Sequence, residues 1–254
     1  MSRLFKALSL TLSVLTLSIV SVLAASCGSS GTQYRIFNAM SNPNATFNFD
    51  VTINGAIVTP VGGMGFQYVQ PSKGYSSISS GSDTVAVYQA GQAGTAGATA
   101  LASASGNLSG SNQYTIVLMG NSPTGGPPNG WTAQAFPDNN TLPAAGNVEF
   151  RVINAAPSLP GAVNIYIVPT ESIAGATPTF TGVAYGQPSQ QPTEYATLPT
   201  GSYWVYVTTP QGTPLFPPYN FPSGATTGIY TFMLTDTQNG FTFFEQPIPL
   251  TDMQ

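Results

Sequence analysis

V-E-F-R-V-I-N-A-A-P-S-L-P-G-A-V-N-I-Y-I-V, residues Val148 to Val168, opens a pattern that the chain writes twice. Y-R-I-F-N-A-M-S-N-P, from Tyr34, answers its first half: Arg35-Ile36-Phe37-Asn38-Ala39 matches Arg151-Val152-Ile153-Asn154-Ala155. Tyr75 through Val87 then aligns without a gap to Tyr195 through Val207, with Gly81 against Gly201. Tyr114-Thr115 with Leu118 matches Tyr230-Thr231 with Leu234, and Gly130-Trp131-Thr132 matches Gly240-Phe241-Thr242. Anchors repeated in one order mark an internal duplication, so the 254-residue chain reads as two copies of one unit.

Each copy reads as β-structure. Phe47, Phe49, Val51 and Ile53 alternate with Asn48, Asp50 and Thr52, the period of a strand with one buried face. Asn54-Gly55 follows as a tight hairpin turn, and Asn42-Pro43-Asn44 as a turn. Tyr34–Ala39, Tyr75–Ile78, Thr84–Tyr88, Tyr114–Met119 and Trp131–Phe136 read as further strands. Gly91 to Gly110 is low in complexity, with room for an edge strand of small residues, and Asn121 to Gly130 is a loop. Charged residues make up 6% of the chain, against about 25% in an average soluble protein. Glycine (27) and proline (22) are frequent and aromatics reach 11%, which excludes a disordered tract and favours short strands. The expected architecture is all-β: two tandem immunoglobulin-like β-sandwiches, at 34–138 and 147–252, joined by a turn-rich linker at 139–146.

The repeats also predict faces. Val85 and Val87 match Val205 and Val207, so that face is core in both copies. The opposite face is Thr84 and Ala86 in one copy and Trp204 and Tyr206 in the other. A face free to change is a surface, so Trp204 and Tyr206 are expected to be partly exposed or to pack on the other unit. Tyr114 and Tyr230 read equally as tyrosine-corner residues or as plain core tyrosines.

Arg3 and Lys6, an apolar run from Ala7 to Leu23 and the small residues Ala24, Ala25 and Ser26 form a secretory signal over residues 1–26, rather than a retained membrane span. L-A-A-S-C-G-S-S resembles a bacterial lipoprotein lipobox, with Ala24 in place of the commoner leucine. The resemblance implies lipid attachment at Cys27, followed by a tether at 27–33, and Ser29 implies the outer membrane of a Gram-negative-type envelope. The other reading is an ordinary signal peptide with an incidental cysteine. Cys27 is the sole cysteine, so no disulfide is expected. Without Arg3 and Lys6 the chain carries 3 basic and 9 acidic residues, a net charge of −6. No basic stripe is available for phosphates, so no nucleic-acid partner is expected.

R-V-I-N-A-A-P-S-L-P-G-A-V-N-I-Y-I, then V-A-Y-G-Q-P at Val183 to Pro188, then Y-A-T-L-P-T-G-S-Y-W-V-Y-V, resembles the bacterial family DUF4397, a domain of unknown function. The resemblance covers Val148 to Phe244 well and Tyr34 to Phe136 in degenerate form. It implies an exported immunoglobulin-like sandwich, often in tandem, with no established activity. The first copy lacks the V-A-Y-G step and has Asp83 in place of the tyrosine after G-S. The second has Asn164 where the family often has aspartate.

The chain has no histidine, so Ser-His-Asp and Cys-His arrangements are impossible. The carboxylates Asp50, Asp83, Asp138, Glu149, Glu171, Glu194, Asp236, Glu245 and Asp252 are scattered. They suit neither a glycosidase pair nor a calcium loop. Asp138-Asn139-Asn140 reads as a linker turn. No enzyme, cofactor or metal site is expected. Arg35 and Arg151 occupy equivalent places; they read as strand-end arginines tied to carboxylate or carbonyl groups, Glu149 being a same-face partner for Arg151, or else as contacts for an anionic ligand. Trp204, Tyr206 and Tyr219 read as an aromatic platform for a glycan or protein partner, or as packing between sheets or domains. The leading functional expectation is a non-catalytic, lipid-anchored envelope protein with a structural, adhesive or scaffolding role. The alternatives are a glycan- or peptide-binding protein using the Trp204 face and, last, a hydrolase.

Overall fold

The computed structural model describes residues 31–41, 48–65, 68–70, 75–79, 81–108, 112–122, 130–159, 161–189, 194–225, 227–236 and 248–251. Among these, every regular element longer than a turn is a strand. The signal segment, Cys27, the Asn42-Pro43-Asn44 turn, Phe47, most of the 121–130 loop and Phe241 to Glu245 lie outside the described residues.

The first copy contains β1 (Thr32–Asn38), β2 (Phe49–Ile53), β3 (Ala56–Ile57), β4 (Tyr68–Gln70), β5 (Ser76–Ile78), β6 (Gly81–Gln89), β7 (Ala102–Leu108), β8 (Gln113–Met119) and β9 (Thr132–Asp138). They form two sheets, ordered β4-β1-β8-β9, with β5 also paired to β1, and β3-β2-β6-β7. The second copy contains β10 (Asn147–Asn154), β11 (Val163–Val168), β12 (Phe180–Val183), β13 (Ala196–Pro199), β14 (Gly201–Thr208), β15 (Tyr219–Ala225), β16 (Gly228–Leu234) and β17 (Ile248–Thr251). Its sheets run β13-β10-β16-β17 and β12-β11-β14-β15, the same plan again. In each copy the opening strand pairs in parallel with the penultimate one, Arg35 opposite Thr115 and Arg151 opposite Thr231, and the other ladders are antiparallel. The result is two open sandwiches and no closed barrel.

Period-two alternation divides the cores. Ile36, Phe49, Val51, Ile53, Val85, Val87, Ile116 and Leu118 fill the first sandwich. Phe150, Val152, Ile165, Val205, Val207 and Phe232 fill the second, with Phe150 stacked on Phe232 at 5.5 Å. The Asn54-Gly55 hairpin forms as its residues predict, with positive φ at both positions (53° and 81°) and Thr52 opposite Ile57. The low-complexity stretch supplies an edge strand, β7, rich in small residues.

The alternation in β2 predicts one buried face, but Asp50 and Thr52 on the other face are buried too. The chain after β6 returns to Asp50, where the Gly91 N–H donates to its carboxylate at 2.7 Å. Tyr114 and Tyr230 pack against the two cores. The Tyr203 hydroxyl reaches back to upstream backbone and donates to the Pro199 carbonyl.

A third apolar cluster lies between the sandwiches: Phe37, Ala39, Val117, Met119 and Phe136 from one, Ile153, Ala155 and Met233 from the other. These are outward-facing residues on or just after β1, β8, β9, β10 and β16. The β4-β1-β8-β9 sheet therefore packs its outer side on the β13-β10-β16-β17 sheet, and β1 and β10 are buried on both faces.

Candidate functional site

The repeated F/Y-R-x-x-N-A motif builds this interface. Asn38 accepts from the Met40 N–H at 3.1 Å and donates to the Gly65 carbonyl; Asn154 accepts from the Ala156 N–H at 3.1 Å and donates to the Val183 carbonyl. Each asparagine thus turns the chain at the end of its strand and pins the loop beside it. The two arginines, one residue out of phase with the cores, point into the space between the sandwiches.

Each guanidinium meets the same pair of groups. Arg35 Nε donates to Thr115 Oγ1 at 2.8 Å, and its Cζ lies 5.2 Å from the Tyr75 ring centre. Arg151 Nε donates to Thr231 Oγ1 at 3.2 Å, and its Cζ lies 5.0 Å from the Tyr195 ring centre. Both converge on Asp138, the last residue of β9. Arg151 Nη2 is paired with Asp138 Oδ1, Arg35 Nε lies 3.9 Å from Oδ2, and the Asp138 side chain has no exposure. Thr115 and Tyr75 hydroxyls also donate to this carboxylate, at 2.7 Å and 2.8 Å. Arg151 Nη1 donates to the Pro137 carbonyl at 2.8 Å and to Glu194 at 3.2 Å. Burial opposes the Arg151 charge, but Asp138, Tyr195 and Glu194 together more than offset it and the pKa stays above the ordinary value. Burial is also the main cause that raises the Tyr195 hydroxyl, to about 12.

Asp138 is therefore the carboxylate that joins the halves of the chain, rather than the head of a linker turn. Glu149 is not the partner of Arg151; it accepts from Thr197 Oγ1 at 3.4 Å, across the β10–β13 pair. With its donors committed to protein acceptors and its side chain fully buried, Arg151 offers no contact for an anionic ligand.

The aromatic residues divide between two faces. Trp204 and Tyr206 lie on the outer face of β14, with Val168 and Tyr166 as their respective partners on β11 and Asn220 beside Trp204 on β15. Trp204 is half-buried. Tyr206 is buried, contrary to the expected exposure, because Tyr166 lies directly across from it and cross-strand rings cover one another. Tyr219 does not join them. It is opposite Val205 and faces the core, edge-on to Phe232 at 6.3 Å. The platform is reduced to Trp204 with an amide neighbour and two tyrosines behind it. Among the described residues no group of three or more histidine, cysteine or acidic side chains is placed to hold a metal.

The profile of the family described as "Domain of unknown function (DUF4397)" matches residues 32–166. The chain belongs to the DUF4397 family. The match takes in the whole first sandwich and runs through the interface strand β10 into β11, whereas the motifs are clearer in the second copy. The V-A-Y-G step of the family has a role here. Gly186, at φ +68°, approaches the first sandwich so closely that a Cβ would come within 3.3 Å of Gln134. No curated protein matches the chain.

Removing Asp138 leaves Arg151 buried without its main counter-charge. Asp138→Asn is expected to lower stability by about 3–5 kcal/mol, read from urea unfolding. An unchanged midpoint would remove Asp138 from this role. At the other end of the interface, Asp236 accepts from Ser158 Oγ, and burial raises its carboxyl pKa above the ordinary value. Its contribution is fully present below the unfolded carboxylate pKa and is lost as pH rises through the raised folded value. Thermal melts from about pH 4 to pH 7 should therefore show Asp236→Asn gaining on wild type as pH rises.

Proposed function

We propose that the chain is a non-catalytic, lipid-anchored protein of the bacterial cell envelope with a structural, adhesive or scaffolding role. The observation that carries this reading is the interface: an apolar cluster and a buried Arg151–Asp138 pair hold the two sandwiches against each other. Two of the chain's five cations serve to join its halves, which suits a scaffold that needs them in a fixed arrangement. Supporting the location are the leader over residues 1–26 and the lipobox-like run ending at Cys27, whose sulfur would carry the acyl chains that hold the protein to a membrane. Labelled palmitate should enter the wild-type protein and be lost in Cys27→Ser, with the variant leaving the membrane fraction. Labelling that persists in the variant would remove the anchor.

A second reading rests on Trp204, a half-buried indole in mid-sheet beside Asn220, in the setting where a ring stacks on a sugar or peptide partner. Under that reading Trp204→Ala weakens glycan-array binding at least about tenfold, the scale of losing one anchoring ring, with the fold intact. Wild-type protein that binds no glycan leaves the structural reading standing alone.

A further inference from the structure

The two sandwiches differ at one corner of their cores. In the second, Tyr203 on β14 lies opposite Phe221 on β15. Both rings belong to an aromatic cluster: Tyr203 is edge-on to Phe150 at 5.7 Å, and Phe221 to Tyr230 at 5.2 Å. In the first, the same register places Asp83 on β6 opposite Gly106 on β7. Two facing rings are thus replaced together by a carboxylate and a hydrogen atom. The space they leave is a cavity of about 260 Å³ lined by Asp83, Gly106, Leu108, Tyr114, Ile116 and Gln134, among others. It lies between β7 and β9, the end strands of the two sheets, and Gly106 on its wall is exposed, so it is reached from the sandwich edge.

Asp83 is 2% exposed. Its Oδ1 accepts from Asn54 Nδ2 at 2.6 Å, the asparagine being held by the hairpin turn and by its own bond from the Thr84 N–H. Its Oδ2 is buried and meets no hydrogen-bond donor among the described residues. A buried carboxylate oxygen left without a donor is strongly unfavourable. The two described cations, Arg35 and Arg151, are committed to Asp138 and cannot serve it. Val85, Leu108, Ile116 and the alanines of β9 supply apolar wall, and Ser105, Asn107 and Gln134 supply polar wall in about equal measure. A volume just under the usual range of about 300–1,000 Å³ for ligand pockets suits an occupant the size of one ring.

We propose that the first sandwich binds a small primary ammonium carried on a body the size of one ring, the ammonium pairing with the Asp83 carboxylate as its buried Oδ2 turns toward the cavity, and the body filling the space of the missing rings. A carboxylate oxygen without a donor selects a cation over a neutral or anionic group, and the apolar part of the wall, from Val85 to Ile116, selects a cation with a ring attached over a bare hydrated metal ion. The proposal is independent of the structural role and of the Trp204 face.

Titration calorimetry and amide chemical shifts on the full-length protein at neutral pH test it with three probes of one shape: phenethylammonium, phenethyl alcohol and phenylacetate. The expected result is saturable binding of the ammonium with shifts centred on Gly106 and Tyr114, binding of the alcohol weaker by at least about tenfold, and none of phenylacetate. Asp83→Asn should weaken the ammonium by a similar factor. The double variant Asp83→Tyr with Gly106→Phe, which rebuilds the corner as the second sandwich has it, should abolish binding. The proposal is overturned if the ammonium does not saturate, if the alcohol binds equally well, or if Asp83→Asn binds as wild type does. The comparison of probes on wild-type protein decides the matter even where a variant does not fold.

Discussion

A charge that has been taken out of water must have its counter-charge with it, and in this protein that requirement joins the two halves of the chain. Arg151 belongs to the first strand of the second sandwich and Asp138 to the last strand of the first. Neither side chain has any exposure. Each would be strongly destabilising alone, so the sandwiches must dock in the one arrangement that brings them together. The surrounding contacts follow from that arrangement. Thr115 and Tyr75 complete the Asp138 carboxylate, Tyr195 covers the guanidinium, and the apolar outer residues of β1, β8, β10 and β16 close over the rest. The apolar cluster supplies most of the attraction, since burial of surface is not directional. The ion pair supplies direction, because two sheets with apolar outer faces can slide past one another and a bonded guanidinium cannot.

This division of labour accounts for how much was legible in the sequence. Alternation identifies which residues share a face, and it separates core from outer face correctly at Val85, Val87, Val205 and Val207. It says nothing of what covers the other face. Asp50 and Thr52 alternate as surface residues do, yet both are buried, and the chain after β6 returns to bond Asp50. Tyr206 differs between the copies as a surface position does, yet Tyr166 covers it, a cross-strand relation that only the register of β11 and β14 reveals. Tyr219 follows a proline-rich stretch with no clear phase, so its face was open until β15 was paired.

The interface was present in the sequence in another form. Arg35 and Arg151 recur at one position in a chain where charge is scarce, and a charge kept in both copies marks a structural demand. What could not be read was the partner. Glu149 shares a strand face with Arg151 and satisfies any local rule, whereas Asp138 lies beyond a turn-rich segment and belongs to the other copy. Pairing through space follows from the docking of sheets, and sequence neighbourhood carries no information about it.

Duplication bears on how the two copies share stability and change. The second sandwich keeps a full set of interlocking rings, Phe150, Tyr203, Phe221, Tyr230 and Phe232, where each is packed by the others. The first has Asp83 and Gly106 in that corner and a hole where the rings would be, losses that a lone domain of about a hundred residues tolerates poorly, since net stability is only about 5–15 kcal/mol. Docked through β1 and β8 onto a well-packed neighbour, it gains a second buried face that a lone sandwich lacks. The interface therefore offsets the imperfect core on its far side. A position that must stay aromatic in the copy that carries the packing becomes free in the copy that leans on it, and that freedom is what an internal cavity with a half-satisfied carboxylate requires.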